Sequence, residues 1–226
     1  QAVGVELKSK DSYHVVAVKS TVVPGTTEDV VLPILEESSG KKAGKDFGVG
    51  MNPEFLREGV AVPDFLNPDR IVVGGIDEAT LEVMARLYDV FPGSEVVKTT
   101  PRTAEMIKYT ANSLLATLIS FSNEIANMSA AAGVDVTDVM HGVHLDHRFS
   151  PILEDGTRVR PSSLTYLEAG CGFGGSCFPK DVMALAAYAR NAGVDAPILE
   201  AALKINAQQP GRFVAPVIEA LEAGST

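Results

Sequence analysis

The stretch TAEMIKYTANSLLATLISFSNEIANMSAAA, residues 103–132, repeats apolar residues at helical spacing and stops at Gly133. That pattern predicts one long helix closed by a glycine. The chain before it has a different rhythm. HVVAV (His14 to Val18), FGVGM (Phe47 to Met51) and RIVVG (Arg70 to Gly74) are short apolar runs that read as buried strands, and Glu95 to Lys98 reads as a further short strand. Between them, Thr27 to Glu37 and Asp77 to Phe91 carry helical periodicity, the second closed by Pro92-Gly93. Strands alternating with helices predict an α/β unit with a parallel sheet. After the long helix come shorter ones near Thr137 to His144, Pro179 to Asn191 and Pro197 to Ala207. The fold class is therefore α/β followed by an all-helical part, with the change near residue 100.

Composition narrows the possible functions. The 226 residues are 46% hydrophobic and 21% charged, as in ordinary globular domains. A formal net charge of −10 argues against a general nucleic-acid-binding surface, so no nucleic-acid partner is expected. No apolar run reaches membrane-spanning length; Leu114 to Ile119 is followed at once by Ser120, Ser122, Asn123 and Glu124, and no membrane partner is expected. Two cysteines are too few for a disulfide framework and suit a reducing cytoplasm. The chain opens on Gln1 and closes on a polar tail, which reads as an internal piece of something longer.

The densest chemistry lies in Gly172-Phe173-Gly174-Gly175-Ser176-Cys177-Phe178-Pro179-Lys180-Asp181. Glycines let backbone and ligand approach closely, and Pro179 suits the first turn of a helix. Cys177 at that helix N-terminus, beside Lys180, is in a setting that favours thiolate. Lys108 and Asn112 are one turn apart on the long helix, with Leu115, Ile119 and Ala126 nearly in line with Lys108. A cation on an apolar stripe either packs its stem and reaches water, or awaits developing negative charge. Asn52 to Gly59 (NPEFLREG) follows a strand directly, where open α/β sheets place ligands. Glu54 and Glu58 fit that site; Arg57 pairing locally on an exposed turn is the plainer reading. Lys19-Ser20-Thr21 ends another strand, as a cap or as part of the same site. Phe149 to Ser163 reads as a surface loop or a lid. His141, His144 and His147 lack a fourth ligand, and Cys171 fits no zinc spacing, so no metal site is expected.

These blocks together resemble the UDP-glucose/GDP-mannose dehydrogenase family, NAD-dependent enzymes that oxidise a nucleotide sugar at C6 to a uronic acid. The resemblance is carried by KSTVVPGT (Lys19 to Thr26), NPEFLREG, NPDRIVVG (Asn67 to Gly74), EMIKYTAN (Glu105 to Asn112) and GFGGSCFPKD (Gly172 to Asp181), in order along the chain. It implies that residues 1–100 are the second half of a Rossmann-like NAD-binding domain. It also implies that 101–212 are a central helical domain for catalysis and dimerisation, and that 213–226 start a linker to an absent nucleotide-sugar-binding domain. Cys177 would be the nucleophile, and Lys108 and Asn112 the oxyanion donors. Thr21, Glu54 and Asp181 would place or activate water. Ser20, Thr21, Val22, Glu58, Cys177 and Lys180 would line NAD. Glu54, Phe55, Leu56, Arg57, Glu58, Lys108, Asn112, Glu168, Phe173 and Gly174 would line the nucleotide sugar. Arg148 resembles the arginine that reaches a neighbouring subunit's substrate, and a homodimer through the long helix is implied.

The resemblance also supplies a reaction. A primary alcohol becomes an aldehyde, a thiolate adds to it, the adduct becomes a thioester, and water releases the carboxylate. Two departures stand out: no Gly-x-Gly-x-x-Gly fingerprint opens the chain, and the segment 149–163 is longer than in the family. A chain of this extent is expected to bind NAD weakly and turn over little. UDP-glucose is the favoured sugar nucleotide, with UDP-N-acetylhexosamines and GDP-mannose open. A two-electron 3-hydroxyacid dehydrogenase and a non-catalytic dimerisation module are the alternatives.

Overall fold

The computed structural model describes residues 1–224 and separates into two compact units, Gln1–Thr110 and Ala111 onward. The first unit holds helices α1 (Ala2–Lys8), α2 (Leu32–Ser39), α3 (Ala61–Leu66) and α4 (Glu78–Arg86) and strands β1 (His14–Val18), β2 (Phe47–Met51), β3 (Arg70–Gly75) and β4 (Glu95–Thr99). Helix α5 (Pro101–Ala132) begins in it and runs 32 residues, matching the sequence reading. A π-helical turn, Thr26–Val31, leads into α2, so the helix expected over 27–37 is built from two pieces.

The four strands lie in the order β1-β2-β3-β4, with β1 outermost. β1 pairs β2 and β3 pairs β4 in parallel, as expected. One neighbouring pair departs from the parallel pattern: β2 and β3 are antiparallel. They overlap only at their C-terminal ends, Gly50 opposite Gly75 and Met51 opposite Gly74. The chain leaves β2, travels past that end through α3 and returns as β3, so no crossover brings it back to β2's start. Strand direction is set by this connection, which local apolar runs do not encode.

Alternation along the strands divides the core between the two faces. On one, Phe47 and Val49 pack with Leu7 of α1 and Leu35 of α2, while Met51 and Val72 meet Ala104 of α5. On the other, Ile71 and Val73 meet Met84 of α4. Gly48 and Gly50 sit beneath α4, where a side chain at Gly48 would collide with Thr80 and one at Gly50 with Met84. Their lack of side chains lets the helix settle on the sheet. Helices α1 and α3 escape the sequence reading, being only 7 and 6 residues long.

The second unit contains the rest of α5, then α6 (Val136–His144), a 3₁₀ helix Ser162–Leu167, α7 (Phe178–Asn191) and α8 (Pro197–Ala223). Met140, Leu164 and Leu167 form one apolar cluster, and Ala116, Phe173 and Val182 another. Helix α8 continues well past Ala207, through Pro210 and Pro216, so most of the stretch 213–226 is helical. Ser225 and Thr226 of that stretch lie outside the described residues. Between α6 and the 3₁₀ helix the chain is irregular apart from one antiparallel bridge, Ile152 with Arg158.

Candidate active site

In the first unit the parallel strands β1 and β2 end side by side, and chemistry gathers there. Asn52 follows β2: its amide donates to the Val72 carbonyl (2.8 Å), extending the short β2–β3 ladder by a side chain, and its oxygen accepts from Lys19 Nζ (2.8 Å) and from the Tyr88 hydroxyl. Burial holds the Lys19 ammonium below the usual lysine range; Glu54 opposes that shift and Lys108 adds to it. Burial likewise raises the Tyr88 phenol, with the Asn52 hydrogen bond working against it.

Lys108 of α5 is 4% exposed. Its Nζ donates to Glu54 Oε1 at 3.3 Å and lies 5.4 Å from the centre of the Phe55 ring, whose centre is also 4.1 Å from the Arg70 guanidinium carbon. The Lys108 ammonium therefore meets a carboxylate instead of open water. Glu54 Oε2 accepts from the Leu56 amide (2.8 Å), which fixes the loop around the carboxylate. Residues 52–57 form no helix, so Glu54 and Glu58 do not share a helical face; Glu58 is exposed. Arg57 does pair locally, donating from its backbone, Nε and Nη2 to Asp64 at 2.9, 2.9 and 2.6 Å. That fork holds the Asp64 carboxyl down at about 2.

Ser20 is exposed and Thr21 half-buried after β1; Val22 packs against the cluster of Met51, Val72 and Ala104. Just beyond, Gly25 and Thr27 are held by Glu105, a carboxylate with 0% exposure on α5. It accepts from Gly25 N (2.6 Å), Thr27 N (2.8 Å) and Thr27 Oγ1 (2.6 Å). The π-helical turn has no side-chain cap of its own, so Glu105 acts as a cap from a distant helix. Arg102, one turn earlier, grips Glu28 (3.1 Å) and Asp29 (2.9 Å).

In the second unit Cys177 is the N-cap of α7 and is exposed; its Sγ lies 3.8 Å from Ser176 Oγ. Pro179 occupies the first turn, as the sequence predicts. The Asp181 amide donates to the Cys177 carbonyl at 2.9 Å. The Asp181 side chain is 1% exposed and bridges two groups. Its Oδ2 accepts from Asn112 Nδ2 at 2.6 Å, and its Oδ1 accepts from Lys180 Nζ. Phe173 is buried against Ala116 and Val182 and meets the Phe178 ring edge-on at 6.2 Å; Gly174 is exposed.

Each unit thus gathers its own predicted residues: Lys108, Glu54 and Phe55 in the first, Asn112, Lys180, Asp181 and Cys177 in the second. Others stand apart. Arg148 is exposed and held by its neighbour Asp146, with Nε 3.0 Å from Oδ1, and Glu168 pairs with Arg160 at 2.9 Å. His144 is buried with Nε2 3.2 Å from the Leu167 carbonyl, a packing role. Among the described residues, no group of three or more His, Cys, Asp or Glu is arranged to hold a metal. The sequence reading missed Glu105, and it missed three amides that bind the glycine loop: Asn123, Asn206 and Gln209. A faint signal existed, since Asn206 and Gln209 share one helix face at three-residue spacing.

The donor groups after β1 suit part of a dinucleotide. Ser20 and Thr21 bring hydroxyls, and Lys19 a cation, to the C-terminal end of a parallel strand, where such ligands lie. Residues 2–92 match the NAD binding domain of the UDP-glucose/GDP-mannose dehydrogenase family, and residues 102–208 match its central domain. The UDP-glucose 6-dehydrogenase AglM of Haloferax volcanii is 43% identical over 217 residues, covering 94% of this chain and 47% of that protein. The GDP-mannose 6-dehydrogenase of Azotobacter vinelandii is 44% identical over 206 residues, 91% of this chain and 44% of its own length. The solved structure of a UDP-glucose dehydrogenase from Pyrobaculum islandicum superposes with a TM-score of 0.85 at 39% identity, covering 98% of this chain and 47% of that one. The chain spans about half the length of these relatives, and among its described residues no helix is long and apolar enough to cross a membrane. With the family's NAD binding and central domains matched in order along it, the chain belongs to the UDP-glucose/GDP-mannose dehydrogenase family.

Proposed function

We propose that this chain is the NAD-binding and catalytic part of a cytoplasmic nucleotide-sugar 6-dehydrogenase that oxidises UDP-glucose to its uronic acid through a cysteine thioester. The observation that carries the reading is Cys177, exposed at the start of α7, with the buried Asp181 one turn on, holding Asn112 and Lys180. Ser20, Thr21, Val22, Glu58, Cys177 and Lys180 are the residues assigned to hold NAD, which would supply the hydride acceptor, two NAD+ in succession taking one hydride each.

Cys177 acts as thiolate: its sulfur bonds to the aldehyde carbon, and the carbonyl oxygen takes up negative charge. Lys108 and Asn112 donate to that oxygen. Both have donors to spare, because Lys108 has three N–H bonds with one on Glu54, and the Asn112 amide has two with one on Asp181. After oxidation to the thioester, Glu54, Asp181 and Thr21 place the attacking water, and the Glu54 carboxylate takes its proton. The carbon–sulfur bond then breaks and returns the thiolate. Glu54, Phe55, Leu56, Arg57, Glu58, Glu168, Phe173 and Gly174 contact the nucleotide sugar, and Arg148 reaches the substrate of a second copy.

That copy docks on α5, where Leu114, Phe121 and Met128 recur every seventh residue at 57%, 49% and 58% exposure. The stripe is the pattern of a helix seam between chains. A chain that stays monomeric in sedimentation at high concentration would count against this interface. The chemistry is tested in the full-length enzyme by product stoichiometry and by Cys177→Ser. Two NADH per uronic acid are expected from the wild type, and loss of acid formation from the variant. One NADH per product would point to a simple alcohol dehydrogenase, and acid formed at the normal rate by the serine variant would remove the covalent route.

A further inference from the structure

The loop leading to Cys177 contains Gly170, Gly172, Gly174 and Gly175, so leaving it unrestrained would scatter the thiol over many conformations. The structure meets this with side-chain amides. The Gly170 amide donates to Asn123 Oδ1 (2.7 Å), and the Gly170 carbonyl accepts from Gln209 Nε2 (3.0 Å). Three residues on, the Phe173 amide donates to Asn206 Oδ1 (2.7 Å) and the Phe173 carbonyl accepts from Asn206 Nδ2 (2.9 Å). Asn206 thus pairs with Phe173 as a neighbouring strand would, and Gly170 is gripped on both sides.

The supports are themselves fixed. Asn123 is fully buried and Gln209 is 6% exposed. Asn127, one turn after Asn123 on α5, donates to Gln209 Oε1 at 3.4 Å. Gly172 has φ +98°, and a Cβ there would stand 2.5 Å from Asn206 Oδ1, so the bare glycine backbone is what lets the amide reach Phe173. Phe173 then buries its ring between α5 and α7, leaving Gly174, Gly175 and Ser176 as the only links to Cys177.

We propose that Asn123, Asn206 and Gln209 are positioning residues whose amides lock Gly170 and Phe173 and thereby set the aim of the Cys177 thiol. The proposal rests on the reading of Cys177 as the nucleophile, but its first test does not need turnover. In a Cys171→Ser background, which leaves Cys177 as the one thiol, Asn206→Ala and Gln209→Ala are compared with the parent. Hydrogen exchange at the Gly170 and Phe173 amides should accelerate about tenfold or more, with the α7 amides unchanged. The iodoacetamide alkylation rate of Cys177, and its pH profile, should shift by several-fold. Asn206→Asp keeps the acceptor for the Phe173 amide and loses the donor, so it should fall between parent and alanine. It also supplies a folded comparison if the alanine variant does not fold.

In the full-length enzyme kcat should drop by at least tenfold in Asn206→Ala with KM changed far less. Freed loop amides with unchanged alkylation and unchanged kcat would overturn the proposal, as would loop amides as protected in Asn206→Ala as in the parent. Altered alkylation in an enzyme whose wild type forms no uronic acid would uphold the positioning role and defeat the dehydrogenase reading instead.

Discussion

Removing the Glu105 carboxylate should release the segment after β1. Glu105→Ala leaves Gly25 N–H, Thr27 N–H and the Thr27 hydroxyl without the acceptor they now reach at 2.6–2.8 Å. A hydrogen bond to a charged group contributes roughly 1.5–3 kcal/mol, and each buried donor left unpaired costs about 1–3 kcal/mol. These are not additive, and water will enter the gap, so the net loss should be on the order of 3–5 kcal/mol. Glu105→Gln keeps one oxygen. Turned toward Thr27, that oxygen preserves two bonds and sets an NH₂ against the Gly25 amide, for a loss of about 1–3 kcal/mol. With about 2–4 °C of melting temperature per kcal/mol at this chain length, the alanine variant should melt on the order of 10 °C lower, and the glutamine variant between it and wild type. Because the chain has two units, amide exchange at Gly25 and Thr27 should accompany the melt and show the first unit opening. If Glu105→Ala melts within about 3 °C of wild type, by the same scale, and both amides keep their protection, the carboxylate is not the cap described here.

The Arg57–Asp64 fork predicts an acid titration. Its folded-state value is depressed from 3.8 to about 2, so its stabilising contribution is complete above the unfolded value and is lost as pH falls through about 2. The Asp64 carboxyl carbon followed by NMR should titrate near 2, and in Arg57→Ala return toward 3.8. Gly172→Ala forces a side chain onto a left-handed backbone and against Asn206, and should destabilise the second unit by roughly 1–3 kcal/mol in thermal melts. Gly174→Ala has open space around its Cβ and should stay within about 0.5 kcal/mol of wild type, so equal effects would defeat the steric account.

The strands were legible because each is a short apolar run bounded by polar residues, and the long helix because thirty residues of one period leave little choice. The pairing of β2 with β3 was not, since nothing in FGVGM or RIVVG records direction. The C-terminal extent of α8 was obscured by Pro210-Gly211, which locally reads as a stop; the helix nevertheless continues. Within the site, residues inside dense motifs could be named from sequence, and Lys108 stood out as a cation on an apolar stripe. Their supports could not. Asn123, Asn206 and Gln209 look like surface polar residues until a glycine loop far away in sequence supplies their partners, and Glu105 sits inside a recognised motif without disclosing what it holds.

The outermost strand has a practical consequence. β1 is five residues, HVVAV, with no lysine, acid or proline to discourage a newcomer, and one border of the sheet ends on it. Such a border templates further strands from other molecules. Concentrated solutions of the chain by itself should therefore drift toward thioflavin-positive assemblies, and a lysine placed at Ala17, whose side is exposed, should slow that drift while leaving the fold intact.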